Sequence, residues 1–431
     1  MPTHAPGVMS GTALKAVPYR QLHFDRGVRP FLVLWELTRA CDLACIHCRA
    51  ESRSWRDPDE LSTVEVTKVL DDLAALGAPR PIVVLTGGDP FKRPDLADIV
   101  SYGTKLSLRM AVSPSGTPLA TRRNLAELRL AGATAVSFSI DGASAESHDS
   151  FRKVPGSFDL TVNACREAVD LGFHLQVNTT VTSETVDQLP GILRLVSSIP
   201  AGLWSLFFLV PTGRGRLLTP LSAEQVEDVL LFLAEISKVM PVKSTEAPQF
   251  RRILVQREAG YNMVPSTPLY AQLMKDVEDM FPFDTPSHAD NSGSASISSS
   301  TSAGTLGRTR SDGDNLGDGR SLGESIHSGP ARRPLVVGDG YGVVFISHTG
   351  EVLPSGFLPM VAGNVKDSSI VDIYRESELL NLLRSPSGYG GRCGICEYRD
   401  ICGGSRAQAF AAYGDPLAED PNCPFHPAQS A

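Results

Sequence analysis

Cys41, Cys45 and Cys48 lie in the run Ala40-Cys41-Asp42-Leu43-Ala44-Cys45-Ile46-His47-Cys48. Gaps of three and then two residues make a tight thiolate triangle. Such a triangle ligates three irons of a cubane iron–sulfur cluster and leaves the fourth iron without a protein ligand. An iron with an open position is a place for chemistry as well as for electron storage. His47 sits between two of the thiols, where its ring cannot turn back to the same metal, so it reads as a loop residue. A second group, Cys393, Cys396, Cys402 and Cys423, stands near the other end of the chain. Four thiolates suit zinc or a complete iron–sulfur cluster, and spacing alone does not choose. The remaining cysteine, Cys165, falls in the helical stretch from Leu160 to Leu171 and reads as a small apolar core residue.

These groups need a large scaffold, and 431 residues with 42% hydrophobic and 20% charged content supply an ordinary globular one. The formal net charge of −8 argues against nucleic acid as a main partner. Met1 to Pro30 holds no apolar stretch of signal-peptide length, and the most apolar run, Leu203 to Pro211, is too short to span a bilayer. The expectation is a cytoplasmic protein with no membrane partner, whose clustered cysteines bind metal rather than pair as disulfides.

Short apolar runs alternate with amphipathic helical stretches from Phe31 to about Met240. Strands are predicted at Phe31–Leu37, Pro81–Thr86, Arg109–Ser113, Ala135–Ile140, His174–Thr180 and Leu203–Val210. Their Val, Ile, Leu and Phe content suggests burial on both faces. Repeated strand–helix units imply a parallel sheet with right-handed crossovers. Six units are too few for a closed eight-stranded barrel, so the fold class is α/β, an open, partial (β/α)6 TIM-like barrel. The Ser- and Gly-rich stretch over 284–333 is predicted to be a disordered insertion. Order returns at Pro334 with a strand, a Thr349-Gly350 turn, a second strand and a helix over Ser368–Leu383, a small α+β domain. The expected division is 1–27 extension, 28–240 barrel, 241–283 connection, 284–333 insertion and 334–431 C-terminal domain.

In parallel barrels the functional groups follow the strand C-termini. The three-cysteine loop follows the first predicted strand, and Thr86-Gly87-Gly88-Asp89-Pro90 the second. Ser113-Pro114-Ser115-Gly116 follows the third, and Ser139 and Asp141 end the fourth. Asn178 lies late in the fifth, and Pro211-Thr212-Gly213-Arg214-Gly215 follows the sixth. All fall on one rim.

The Cys41/Cys45/Cys48 spacing with the Gly-Gly-Asp-Pro loop resembles the radical S-adenosylmethionine superfamily. The resemblance implies a [4Fe–4S] cluster on that triad, its open iron chelated by the methionine end of S-adenosyl-L-methionine (AdoMet). It implies that Gly87, Gly88, Asp89 and Pro90 receive the methionine amine. Ser139 and Asp141, two residues apart, correspond to groups on the ribose hydroxyls. Asn178 reaches the cosubstrate by the same logic, and Arg152 matches a position that faces the methionine carboxylate. The Cys393-x2-Cys396-x5-Cys402 segment, with Cys402-Gly403-Gly404-Ser405-Arg406-Ala407, is similar to the auxiliary-cluster extension called SPASM, or its shorter form, twitch. Ser355 and Arg406 stand where further cysteines are found in full SPASM domains, which argues for one auxiliary [4Fe–4S] cluster.

What the resemblance implies is reductive cleavage of AdoMet to a 5′-deoxyadenosyl radical and oxidative modification of a substrate, with a ferredoxin or flavodoxin as electron donor. The short stretch before the barrel leans the substrate towards a tetrapyrrole or other small molecule. Maturation of a ribosomally made peptide is the alternative, and Arg214 and Arg216 fit either. A non-catalytic zinc- or cluster-binding scaffold is the reading from another class.

Overall fold

The computed structural model describes residues 24–280 and 335–428. The predicted 284–333 insertion and nearly all of the 1–27 extension lie outside the described residues.

Seven parallel strands run side by side in chain order: β1 (Leu32–Thr38), β2 (Ile82–Gly87), β3 (Arg109–Val112), β4 (Ala135–Ser139), β5 (His174–Val181), β6 (Leu203–Phe208) and β7 (Val242–Thr245). Helices between them complete the α/β units, and several are set by their first residues. Ser62 accepts the Glu65 amide while the Glu65 carboxylate accepts the Ser62 amide, which starts the helix Thr63–Ala75. Ser222 and Gln225 do the same for Ala223–Ile236.

Period-2 alternation divides the sheet into two faces. Trp35, Leu85, Phe138, Val177 and Trp204 face the helices and are fully buried with Leu70, Ile99, Leu125 and Phe232. In β5 the buried residues Leu175, Val177, Thr179 and Val181 alternate with the partly exposed Gln176, Asn178 and Thr180. The expectation of strands buried on both faces therefore fails on the inner side, because the sheet curves around an open chamber.

The C-terminal segment joins the same sheet. The short β8 (Gly338–Asp339) pairs with β9 (Gly342–Ile346), and β9 runs parallel to β1 with Leu34 opposite Phe345. β10 (Glu351–Leu353) and β11 (Gly363–Asn364) continue antiparallel beyond it. Gly350, at φ +95°, makes the tight reversal between β9 and β10. The sheet order is thus β11-β10-β9-β1-β2-β3-β4-β5-β6-β7. Among the described residues, no helix is long and apolar enough to cross a membrane.

Candidate functional site

The three-cysteine loop leaves the C-terminal end of β1 and is fastened on every side by backbone. Cys41 N donates to Arg53 O at 2.7 Å, Ala44 N to Arg152 O at 3.3 Å and Ile46 N to Phe151 O at 3.1 Å. Arg214 donates from its own amide to Cys48 O at 3.0 Å and from Nε to Cys45 O at 2.8 Å. Gly213 makes this approach possible, since a Cβ there would lie 2.5 Å from Arg49 O. Arg214 is therefore part of the cysteine loop's support, a role its place in the sequence did not disclose. Burial pushes the Cys41 thiol up to about 11. At Cys48 burial also acts upward, but hydrogen bonds from Ser52 and the Arg214 guanidinium outweigh it and bring the thiol below its ordinary value. Positive charge beside the loop favours thiolates, the form in which sulfur binds iron.

The Gly-Gly-Asp-Pro loop after β2 packs directly on that support. Gly88 N donates to Thr38 O at 2.8 Å, and Asp89 N to Ala40 O at 2.7 Å. A Cβ on Gly87 would meet Thr38 O at 2.3 Å, and one on Gly88 would meet Ala40 O at 2.5 Å. Both glycines are required by the neighbouring backbone itself. Asp89 is buried, and its carboxylate accepts from Phe91 N at 3.1 Å, Ser115 N at 3.4 Å and Thr117 Oγ1 at 2.7 Å. Pro90 opens the single turn that follows. Ser115 Oγ donates to Gly88 O at 2.7 Å and lies 3.6 Å from Cys41 Sγ. Asp89 thus ties the second rim loop to the third.

Ser139 and Asn178 are opposite each other in the β4–β5 register, and both are partly exposed to the chamber. Asn178 Oδ1 accepts from Gln176 Nε2 at 2.6 Å. Asp141 is placed differently. Its carboxylate accepts from Thr180 N at 2.7 Å and pairs with the Nη2 of Arg152, with side-chain exposures of 0% and 10%. Arg152 Nη1 lies 3.5 Å from Cys45 Sγ. Burial alone would raise the Asp141 carboxyl, but Arg152, with the nearby histidines, holds it below the usual carboxylate range. His148 Nδ1 accepts from Asp141 N at 3.2 Å, and burial together with the Arg152 charge pushes that imidazole down to about 4. His47 stacks on Phe151 at 4.6 Å between centroids, beside this network and within the cysteine loop. The structure therefore separates an open pair, Ser139 and Asn178, from a closed unit, Asp141–Arg152–Cys45.

Cys393, Cys396, Cys402 and Cys423 line one cavity together with Arg252, Asp420 and Phe425. Cys393 lies in the short helix Gly391–Ile395, and the other three come from loops. Burial pushes the Cys402 thiol up to about 11. Arg406 stacks over Tyr389 at 4.3 Å, donates from Nη1 to Ala418 O at 2.7 Å and places Nη2 3.6 Å from Cys393 Sγ. It braces the loops where a further cysteine was conceivable. Ser355 is buried and accepts from Phe357 N at 3.3 Å, and it is not part of the cavity lining. Among the described residues, no three His, Cys, Asp or Glu side chains converge on a position for a single ion. The four thiols share one cavity, a donor set that suits zinc or an iron–sulfur cluster alike. Cys165 is fully buried in the core between helix and sheet.

The two cysteine regions are joined through the β6–β7 rim. Gln249 Nε2, at the start of the helix Gln249–Glu258 after β7, donates to Asp420 Oδ2 at 2.8 Å. Arg251 donates to Ile401 O at 2.7 Å, and Gln408 Nε2 to Leu209 O at 2.8 Å.

Comparison with known proteins agrees with this geometry. A family model described as the radical SAM superfamily matches residues 35–196. An AdoMet-dependent heme synthase of Oleidesulfovibrio alaskensis is 37% identical over 400 residues, covering 92% of this chain and 87% of that protein. One of Methanosarcina barkeri is 33% identical over 404 residues, covering 93% and 98%. The solved structure of Streptococcus suis SuiB bound to S-adenosylmethionine has a TM-score of 0.61 over 92% of this chain and 78% of that one, at 12% identity, a likeness of fold. With relatives of this identity along nearly its whole length, and a superfamily match over the strands that carry the cysteine triad, the chain is an enzyme of the radical SAM superfamily.

Proposed function

We propose that this enzyme oxidatively modifies a tetrapyrrole side chain in an AdoMet-dependent reaction of the heme-synthase kind. The observation that carries the reading is similarity to heme synthases over 92–93% of the chain. Cys41, Cys45 and Cys48 would hold a [4Fe–4S] cluster, which together with AdoMet would supply a 5′-deoxyadenosyl radical when bound.

The chain's own residues do the holding. Arg152 and Arg214 set positive charge beside Cys45 and Cys48, and Asp141 keeps Arg152 in place. The backbone of Gly87 to Pro90, pinned on the end of β1, is the seat for the methionine amine. Ser139 and Asn178, open to the chamber, suit the ribose hydroxyls. Cys393, Cys396, Cys402 and Cys423 would hold one auxiliary [4Fe–4S] cluster, a one-electron store that suits a net oxidation. A ferredoxin or flavodoxin is the class of reductant required.

Anaerobic reconstitution with AdoMet, reductant and an iron porphyrin bearing propionate chains, followed by product analysis, tests the reading. Formation of 5′-deoxyadenosine together with an altered porphyrin is expected. Cys45→Ala should abolish 5′-deoxyadenosine, and its persistence at the full rate would refute the assignment of the triad.

A further inference from the structure

We infer that Lys243 anchors a carboxylate of the substrate, so that the chamber receives an anionic macrocycle with an acidic side chain against its β6–β7 wall. This rests on the tetrapyrrole reading above and names the residue that would recognise the substrate's charge.

Lys243 is the second residue of β7. The first, Val242, is buried and lies opposite the buried Trp204 of β6 on the helix-facing side. Strand alternation then turns Lys243 inward. There it ends a row that crosses four strands. Ser139 is opposite Asn178, Asn178 opposite Ser205, and Ser205 opposite Lys243. The row starts at the pair proposed to face AdoMet and finishes on a cation.

Among the described residues, the Lys243 ammonium makes no hydrogen bond and no ion pair, yet it is only partly exposed. Burial and the nearby Arg251 guanidinium lower its pKa, opposed by Glu246. Glu246 is a poor counterion, because burial and Asp339 push its carboxyl well above the usual range. Its Oε2 already accepts from Ser405 Oγ at 2.5 Å. Two further groups of the β6–β7 wall, Ser205 Oγ and Thr245 Oγ1, also lack partners among the described residues. A partly desolvated cation without an anion gains strongly from an incoming carboxylate.

The facing wall has the opposite character. Leu34 of β1 lies between Val84 of β2 and Phe345 of β9 in register, an apolar row. Arg49 lies over the Phe345 ring at 4.3 Å on that wall, but it is already paired with the buried Glu36 at 2.9 Å. A flat ring system with ionised propionate chains thus meets an apolar row on one wall and an unpaired cation on the other. The anchor also stands on the side of the four-cysteine cavity, since Arg251, whose field Lys243 feels, donates to Ile401 O next to Cys402.

The test is an anaerobic absorbance titration of the reconstituted full chain with iron protoporphyrin IX, which carries two free propionates, and with its dimethyl ester in the same detergent. The wild type should prefer the free acid by at least tenfold in Kd, equivalent to about 1.4 kcal/mol. Lys243→Met should lose that preference by binding the acid at least tenfold more weakly, with the ester unchanged. Lys243→Arg should restore it to within about threefold, because a guanidinium also pairs with carboxylate. Iron content and thermal midpoint, matched across the three proteins, confirm comparable folding. Equal binding of acid and ester by the wild type overturns the proposal without any variant. A Lys243→Met protein that keeps the wild-type preference overturns the anchor and leaves the tetrapyrrole reading standing. Failure of the wild type to bind either porphyrin refutes the tetrapyrrole reading, and the anchor falls with it.

Discussion

Arg152→Met should destabilise the fold and, separately, slow AdoMet cleavage. The pair it breaks is closed to solvent, with Asp141 side-chain exposure at 0% and Arg152 at 10%. Removing one partner of such a pair leaves a charge buried without compensation, at a cost of about 3–5 kcal/mol. That is a large part of the ~5–15 kcal/mol that holds a typical domain together. One bond remains to the orphaned carboxylate, from Thr180 N at 2.7 Å, which places the expected loss near the lower figure. The pH dependence carries a sign. In the wild type Arg152 holds the Asp141 carboxyl below its ordinary value, so the pair's stabilisation is present above the unfolded carboxylate range, near pH 4. It is lost as pH falls through the lower folded value. In the variant burial acts unopposed by Arg152 and drives that carboxyl upward, so protonation relieves the strain. The stability gap between wild type and variant should therefore narrow as pH falls from 7 towards 4. Urea midpoints of the apo chain across that range measure it. The double variant Asp141→Asn/Arg152→Met should recover most of the stability, since an amide still accepts from Thr180 and carries no charge. It should remain slow in 5′-deoxyadenosine formation, because the guanidinium 3.5 Å from Cys45 Sγ is gone. A single variant within about 0.5 kcal/mol of wild type at pH 7, the range of ordinary surface changes, would refute the reasoning. So would a double variant no more stable than the single one.

Gly88→Ala should cost about 3 kcal/mol, the upper end of overpacking, because its Cβ meets the carbonyls of Ala40 and Arg39 at 2.5 and 2.7 Å rather than a yielding side chain. A lowered thermal midpoint with reduced iron at the amino-terminal site would show it. Cys423→Ser should lower reconstituted iron from about eight to about four per chain and leave substrate-free AdoMet cleavage in place. Iron analysis and 5′-deoxyadenosine assay on one preparation check both.

The parts of this site that were legible in the sequence are those set by local spacing. Three thiols within eight residues must share one loop wherever the loop goes. The strand–helix rhythm then decides that the loop stands on the same rim as the glycine pair. What was not legible depends on contacts between distant parts of the chain. In the sequence Gly87 and Gly88 read only as receiving the methionine amine, and what fills the space of their missing side chains, the backbone of Thr38 and Ala40, appears only once β1 and β2 are paired. Asp141 and Arg152 are eleven residues apart, and in the sequence each reads as facing the cosubstrate, with nothing in their spacing to pair them. Their closure needs the helix Ala145–Arg152 to return to the cysteine loop, where Phe151 and Arg152 carbonyls accept from Ile46 and Ala44.

β7 escaped notice for a different reason, and that reason bears on function. Val242-Lys243-Ser244-Thr245 has one large apolar side chain among four residues, too few for a periodicity signal. A strand can be that polar only where its inner face needs no apolar partner, which is the case at the edge of an open chamber. On the other side of the sheet β9 lies beside β1, with Val343 opposite Leu32, a contact across some three hundred residues of chain that no local pattern reports. β7, absent from the sequence reading, and β9, which that reading placed in a separate C-terminal domain, therefore add opposite walls to the chamber, one bearing Lys243 and the other Phe345. The cysteine triad stands on the amino-terminal strands, and segments after residue 240 complete the walls of the chamber beside it.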